Sequence, residues 1–210
     1  MKYILLLGLT LAINDSVTAQ KTKKITVKSD YPLFKETFYV LKSDETVKNG
    51  EYKKEIRGSL LKKGNYQNNK RTGVWEYYNL NKELMHKINL DDSALVYEAN
   101  PSREFDKSKY SRPLIILGGY QTLYQQIGHT LRYPAQARRM GIQGKITVKL
   151  IVDVDGKIKS SEVIEGLGGG LNAEAIRVFK LIDFETLPAL NLEGKPVETE
   201  IELPITFKLG

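Results

Sequence analysis

The side chains with chemical potential are few, and their spacing argues against catalysis. His86 and His129 are the two histidines of the chain. They fall in different regions, and neither has an Asp or Glu at ligand spacing on a shared helical face, so they do not form a metal site. Asp153-Val154-Asp155-Gly156, with Glu162 further on, imitates a calcium loop. Its first ligand position would be Ile151, which offers no oxygen, and the stretch alternates like a strand. Gly166 to Asn172 reads "GLGGGLN", glycine-rich ahead of a helix as phosphate loops are. It lacks both the G-x-G-x-x-G order and a Lys-Ser/Thr pair. Glu174, Asp183 and Glu185 cluster near a helix, where acids are expected to be solvated rather than paired for acid–base work. There is no cysteine and no G-x-S-x-G elbow. The expectation is a protein that is not an enzyme, with no metal and no cofactor.

The most regular elements lie in the C-terminal half. Pro134 suits the first position of a helix and Gly141 the left-handed position that ends one, so Pro134 to Met140 reads as a short helical segment. Ile146, Val148, Leu150 and Val152 then alternate with Thr147, Lys149, Ile151 and Asp153 as a strand. Asp155-Gly156 predicts a hairpin turn, with a return strand from Lys157 to about Ile164. Asn172 is expected to cap a helix through Ile182, burying Ala175, Ile176, Phe179 and Ile182. A last strand is predicted from Val197 to Lys208, with Ile201, Leu203, Ile205 and Phe207 inward and Glu200, Glu202 and Thr206 outward. Upstream, Tyr120, Leu123, Tyr124, Ile127 and Leu131 mark one face of a helix, in which Gly128 implies close packing or a bend. The predicted fold class is α+β: a three-stranded antiparallel sheet with helices on one face, preceded by a mostly β meander.

That meander is read between residues 20 and 99. Short strand candidates such as "GEYKKEI", "GVWEYYN" and "LMHKINL" are bounded by Gly, Asn and Asp. Gly50-x-Tyr52, Gly64-x-Tyr66 and Gly73-x-Trp75 recur, each placing an aromatic two residues after a glycine. Gly64 to Asn79 resembles a MORN-type repeat; a generic meander with tyrosines in its core is the equal alternative. Residues 100–113 are polar, charged and bracketed by prolines, and read as a linker to the 114–210 region. Residues 1–19 pair Lys2 with a short apolar run, Tyr3 to Ile13, and end on small residues, the pattern of a cleavable secretory signal. Eleven helical residues span roughly 16 Å, about half a bilayer core. Lys+Arg 32 against Asp+Glu 25 leaves a net charge of +7. The lysines are dispersed and no arginine stripe interleaves with aromatics, so a nucleic-acid partner is not expected.

Taken together, "YPAQARRMGIQGKITVKLIVDVDGKI", "NAEAIRVFK" and "GKPVETEIELPITFKL" resemble the C-terminal domain of TonB, and "GGYQTLYQQIGHTLRYP" resembles its Bacteroidota version. The resemblance covers Leu114 to Leu209. It implies a periplasmic protein that grips the TonB box of outer-membrane transporters by strand addition and takes part in energy-coupled transport. On that pattern the final strand is the receiving edge, through Val197, Glu198, Glu200, Glu202, Pro204 and Thr206. Tyr133, Pro134, Gly141, Gln143, Gly144 and Gly156 are the structural motif positions, and the Tyr133–Gly144 turn is expected to lock the amphipathic helix against the first strand, which holds the last as a rigid edge. Pro204 independently favours an edge, since it lacks a ladder donor. Coupling to an inner-membrane motor complex would run through another protein. The alternative is an envelope-associated scaffold whose TonB-like domain homodimerises through the same edge while the β-rich region binds the partner.

Overall fold

The computed structural model describes residues 20–100 and 104–209. The expected signal segment, and part of the expected linker, lie outside them. From Thr22 to Glu98 the chain zigzags through β1 (Thr22–Asp30), β2 (Leu33–Leu41), β3 (Lys48–Ile56), β4 (Ser59–Gln67), β5 (Lys70–Tyr78), β6 (Leu84–Asn89) and β7 (Ala94–Glu98). These form one seven-stranded antiparallel sheet in chain order. The basic run Lys21 to Lys28 falls, but for Lys21, in the edge strand β1, which is mostly exposed.

The glycine–aromatic recurrence has a geometric cause. Across β3 and β4, Tyr52 pairs with Gly64 and Tyr66 with Gly50, so each aromatic stands opposite a position with no side chain. Tyr52, Tyr66 and Trp75 then meet at centroid separations of 5.3 to 5.5 Å. A Cβ on Gly64 would sit 2.3 Å from the fully buried Trp75 ring, so Gly64 makes room for it rather than a bend.

The second region opens with β8 (Tyr110–Arg112) and β9 (Ile115–Ile116), followed by α1 (Gly119–Thr130) and α2 (Ala135–Arg139). After β10 (Gly144–Val152), β11 (Ile158–Glu165) and α3 (Leu171–Phe179) come β12 (Thr186–Leu187), β13 (Ala189–Asn191), β14 (Pro196–Val197) and β15 (Thr199–Phe207). The principal sheet is three-stranded and antiparallel, as expected, and its order is β11-β10-β15. Helices α1, α2 and α3 cover one face of it, burying Leu123, Ile127, Ala137, Ala175, Val178 and Phe179 against Ile146, Val148, Leu150, Leu203 and Ile205. Two small sheets, β12-β9 and β14-β13-β8, were not foreseen; their two- and three-residue strands carry no periodic signal. Residues 110–112, expected within the polar join, belong to one of them.

Several local expectations shift. Helix α1 buries Thr122, Leu123, Gln126, Ile127 and Thr130, while Tyr120 and Tyr124 are exposed. Gln126 displaces them because its amide is used: Oε1 accepts from Asp183 N at 3.1 Å. A Cβ on Gly128 would meet nothing within 4 Å, so no close packing requires a glycine there. Helix α3 is capped by left-handed Gly170, not by Asn172, whose Oδ1 instead accepts from Leu167 N at 2.9 Å. The helix ends at Phe179, leaving Ile182 beyond it, and its buried face is Leu171, Glu174, Ala175, Val178 and Phe179. In the β10–β11 turn Gly156 has φ +76, but Asp155 is not left-handed, so this is not the two-residue turn that Asp-Gly suggests. Asp153 Oδ1 instead gathers the N–H groups of Asp155 and Lys157, each at 2.9 Å. A Cβ on Gly156 would meet Thr186 O at 2.4 Å, so β12 passes directly over this turn.

Candidate docking edge and its bracing

Strand β15 is the outermost strand of its sheet: among the described residues β10 pairs with one side of it and no strand pairs with the other. The β10–β15 register runs without a break from Gly144 opposite Phe207 to Val152 opposite Thr199. Leu203, Ile205 and Phe207 are buried on the helix side, and Glu200, Glu202, Pro204 and Thr206 are exposed on the other. The edge is shorter than expected from sequence. Val197 belongs to β14 and stands opposite Ala189, and Glu198 lies between the two strands with its carboxylate 2.7 Å from Lys159 Nζ. Pro196-Val197 is drawn away because β13 offers it a separate partner, so Val197 and Glu198 leave the predicted docking row.

The expected bracing motif surrounds the C-terminal end of β15. Pro134, extended at ψ 137, precedes α2, and Gly141 follows it at φ +65. Tyr133 OH donates to Ile142 O, closing the short helix into a loop, and its ring meets Phe207 edge-on at 5.9 Å. Gln143 Oε1 accepts from Leu209 N at 3.3 Å, and Gly144 begins β10. The turn ahead of β10 thus holds the end of β15 through one ring and one amide. Gly156 sits at the far end of β10, remote from this brace.

Residues 129–209 match the family model of the Gram-negative bacterial TonB protein C-terminal. This is a non-enzymatic, transport-related family of envelope-associated proteins that typically interact with outer-membrane transporters. Among solved structures the chain is similar to the solution NMR structure of Helicobacter pylori TonB-CTD, residues 179–285. That likeness has 24% identity over 41% of this chain and 76% of that one, at a TM-score of 0.33. A second structure of the same domain, residues 194–285, gives 22% identity, 41% and 88% coverage, and a TM-score of 0.30. No curated protein matches the chain. Among the described residues no helix is long and apolar enough to cross a membrane.

The TonB-like domain is joined to the meander by a polar cluster that sequence reasoning missed. Registers align Glu36, Lys54, Lys62, Tyr77, His86 and Glu98 in one row across β2 to β7. Lys54 and Lys62 therefore stand directly opposite one another, an arrangement that is repulsive by itself. Asp183, expected to be solvated, resolves it: its Oδ2 lies 3.0 Å from Lys54 Nζ and 2.9 Å from Lys62 Nζ. Glu185 takes Lys62 on one oxygen and, on the other, Arg71 at 2.7 Å and Tyr77 OH at 2.8 Å. Burial would raise the Glu185 carboxyl, but the Lys62 and Arg71 charges outweigh it and hold the group down at about 2. Burial disfavours the Lys62 ammonium too, and the Asp183 and Glu185 charges reverse that, raising its pKa. Beside this cluster Ile115 and Leu187 close an apolar contact with Tyr52, Trp75, Tyr77 and Ile88. His86 is spent structurally, Nδ1 accepting from Gly118 N at 3.1 Å. Glu174, the third acid of the expected solvated cluster, is buried and paired with Arg177 at 2.6 Å. Among the described residues no group of His, Cys, Asp or Glu could hold a metal ion.

Proposed function

We propose that the free side of β15 receives an extended segment of a partner as an additional strand, and that the segment is the TonB box of an outer-membrane transporter. The chain would then take part in energy-coupled transport as a periplasmic TonB-like protein, with its own meander as a second, MORN-like domain. The supporting observation is the nine-residue edge strand itself, in the part of the chain that matches the TonB family.

Pro204 orients the reading. In an antiparallel ladder the N–H and C=O of one residue point to the same neighbour, and successive residues alternate sides. Pro204 stands opposite Thr147 in an unbroken register. Such continuity fits best if the missing donor belongs to the side away from β10. The groups of Glu200, Glu202, Pro204 and Thr206 then face a guest, with donors on all but Pro204. Each bond formed contributes about 0.5–1.5 kcal/mol net, and ordering of the peptide offsets much of it, so binding in the micromolar to millimolar range is expected.

The test is titration of the full chain with peptides from transporter N-termini, followed by amide chemical shifts. Saturable shifts confined to β15 and its flanks support the reading. Glu202→Pro removes one guest-facing donor without touching the core, and should abolish binding while leaving the unfolding transition in place. Concentration-dependent dimerisation through β15 without peptide binding would overturn it in favour of a self-associating scaffold.

A further inference from the structure

A cleft of about 230 Å³ opens where the meander meets the TonB-like domain, far in the chain from β15. Four segments enclose it: the β1–β2 turn (Tyr31 to Phe34), the end of β3 (Lys54 to Arg57), the last turn of α1 with His129, and Leu181 to Asp183 after α3. We propose that this cleft binds a small amphipathic carboxylate, its apolar body against Phe34, Ile56 and Ile182 and its anionic end between Arg57 and His129.

The walls are fixed independently of any ligand. Tyr31 OH donates to Thr130 O and accepts from Arg177 at 2.8 Å, and the Arg132 guanidinium lies 3.7 Å from its ring centroid. Across the cleft, Lys54 and Asp183 are paired at 3.0 Å, and Gln126 holds the Asp183 main chain. A dry cavity of about 150 Å³ accommodates benzene, so this volume suits one ring, or a short alkyl chain, with a small polar tail.

Charge selects the tail. Lys54 is committed to Glu36 and Asp183, and Asp183 in turn to Lys54 and Lys62. Arg57 and His129 remain, with no hydrogen bond or ion pair shown for either among the described residues. Asp30, the other acid of the lining, is exposed. Burial and then the Arg57 charge push the His129 imidazole below its ordinary value, so the two groups sense each other. An anion placed between them removes that repulsion and gains a charge-assisted contact from each. The site is separate from the docking edge, and its occupation stands or falls without it.

The probe is phenylacetate, with phenylacetamide as its neutral isostere, added to the full chain. The readout is the ring resonances of the two histidines, with buried His86 as internal reference. Saturable shifts of His129 are expected at millimolar concentration, with its titration midpoint moving upward on binding. The amide should bind about tenfold more weakly, as should phenylacetate to Arg57→Asn, a substitution compatible with the left-handed φ of 51 at that position. No saturable shift up to about 20 mM would overturn the proposal, as would equal binding of acid and amide, or unchanged affinity in a folded Arg57→Asn.

Discussion

Asp183→Asn is a nearly isosteric change that removes the one anion lying between two lysines. In the native structure Asp183 Oδ2 is 3.0 Å from Lys54 and 2.9 Å from Lys62, and the Lys62 side chain is 8% exposed. At an effective dielectric constant of about 20, each contact is worth about 5 kcal/mol of gross attraction. Most of that offsets desolvation, and breaking a buried pair costs about 3–5 kcal/mol when a charge is stranded. Here neither lysine is fully stranded, since Lys54 keeps Glu36 and Lys62 keeps Glu185. What remains is their mutual repulsion across β3 and β4. The expected loss is therefore about 2–3 kcal/mol, read as a lower urea midpoint and a Tm fall of about 5–10 °C for a chain of this size. The double variant Lys62→Met, Asp183→Asn removes both the repulsion and the need for Asp183, and should recover about 1 kcal/mol or more relative to Asp183→Asn alone. A loss below about 0.5 kcal/mol for Asp183→Asn, or strictly additive effects in the pair, would refute the view that this residue joins the two regions.

Other outcomes follow from the same geometry. Glu185 is held at about 2 against a model-compound value of 4.5, so its contribution is complete above pH 5 and disappears as pH falls through 4 to 2; an acid unfolding series should lose about 2–3 kcal/mol over that interval, and much less in Glu185→Gln. Gly64→Ala places a methyl group against the immobile Trp75 ring and should cost about 2–3 kcal/mol, with a change in the emission of the single tryptophan reporting the displacement. At the proposed docking edge, Lys149 is already engaged by Glu162 at 2.6 Å, while Glu200 and Glu202 are exposed beside it and, among the described residues, neither carboxylate forms an ion pair. A guest peptide carrying lysines opposite them should bind about two- to fivefold more tightly than its glutamate counterpart, and 0.5 M salt should erase the difference.

Much of this fold can be read locally because its signals are local. The alternation of Ile146, Val148, Leu150 and Val152, and of Ile201, Leu203, Ile205 and Phe207, is strict, and each set does line the core. Gly64 and Trp75 signal their relation only through a spacing rule, yet the register makes the physical reason plain: a ring needs an absent side chain across the ladder. The failures are equally instructive. Asp183 and Glu185 sit in a short polar stretch after a helix, where solvation is the ordinary expectation. Their partners Lys62 and Arg71 lie more than a hundred residues earlier, and a register between distant strands leaves no mark on either segment. Tyr120 and Tyr124 look like core residues of α1, but the helix turns Gln126 inward because an amide can satisfy the otherwise unpaired main chain of Asp183. Val197 and Glu198 continue the β15 alternation in sequence and yet leave it in space, since β13 competes for the preceding residues.

These details also bear on how a load on β15 would be shared. A strand added to the open side pulls on main-chain groups, and the first element to resist is the nine-residue ladder to β10. That ladder is anchored at its start by Tyr133 against Phe207 and Gln143 on Leu209 N, so the end of β15 cannot peel away without breaking a ring contact and a hydrogen bond together. The far end of β10 turns at Gly156 directly beneath β12, where Thr186 Oγ1 donates to Gly156 O at 2.8 Å. The residue before β12 is Glu185, held by Lys62 and Arg71 of the meander. A continuous chain of contacts therefore runs from the open edge of β15, along the central strand, to the seven-stranded sheet. On this argument the acids after α3 serve the same end as the tyrosine–proline turn: one secures the near end of β10 and the other secures its far end to the seven-stranded sheet.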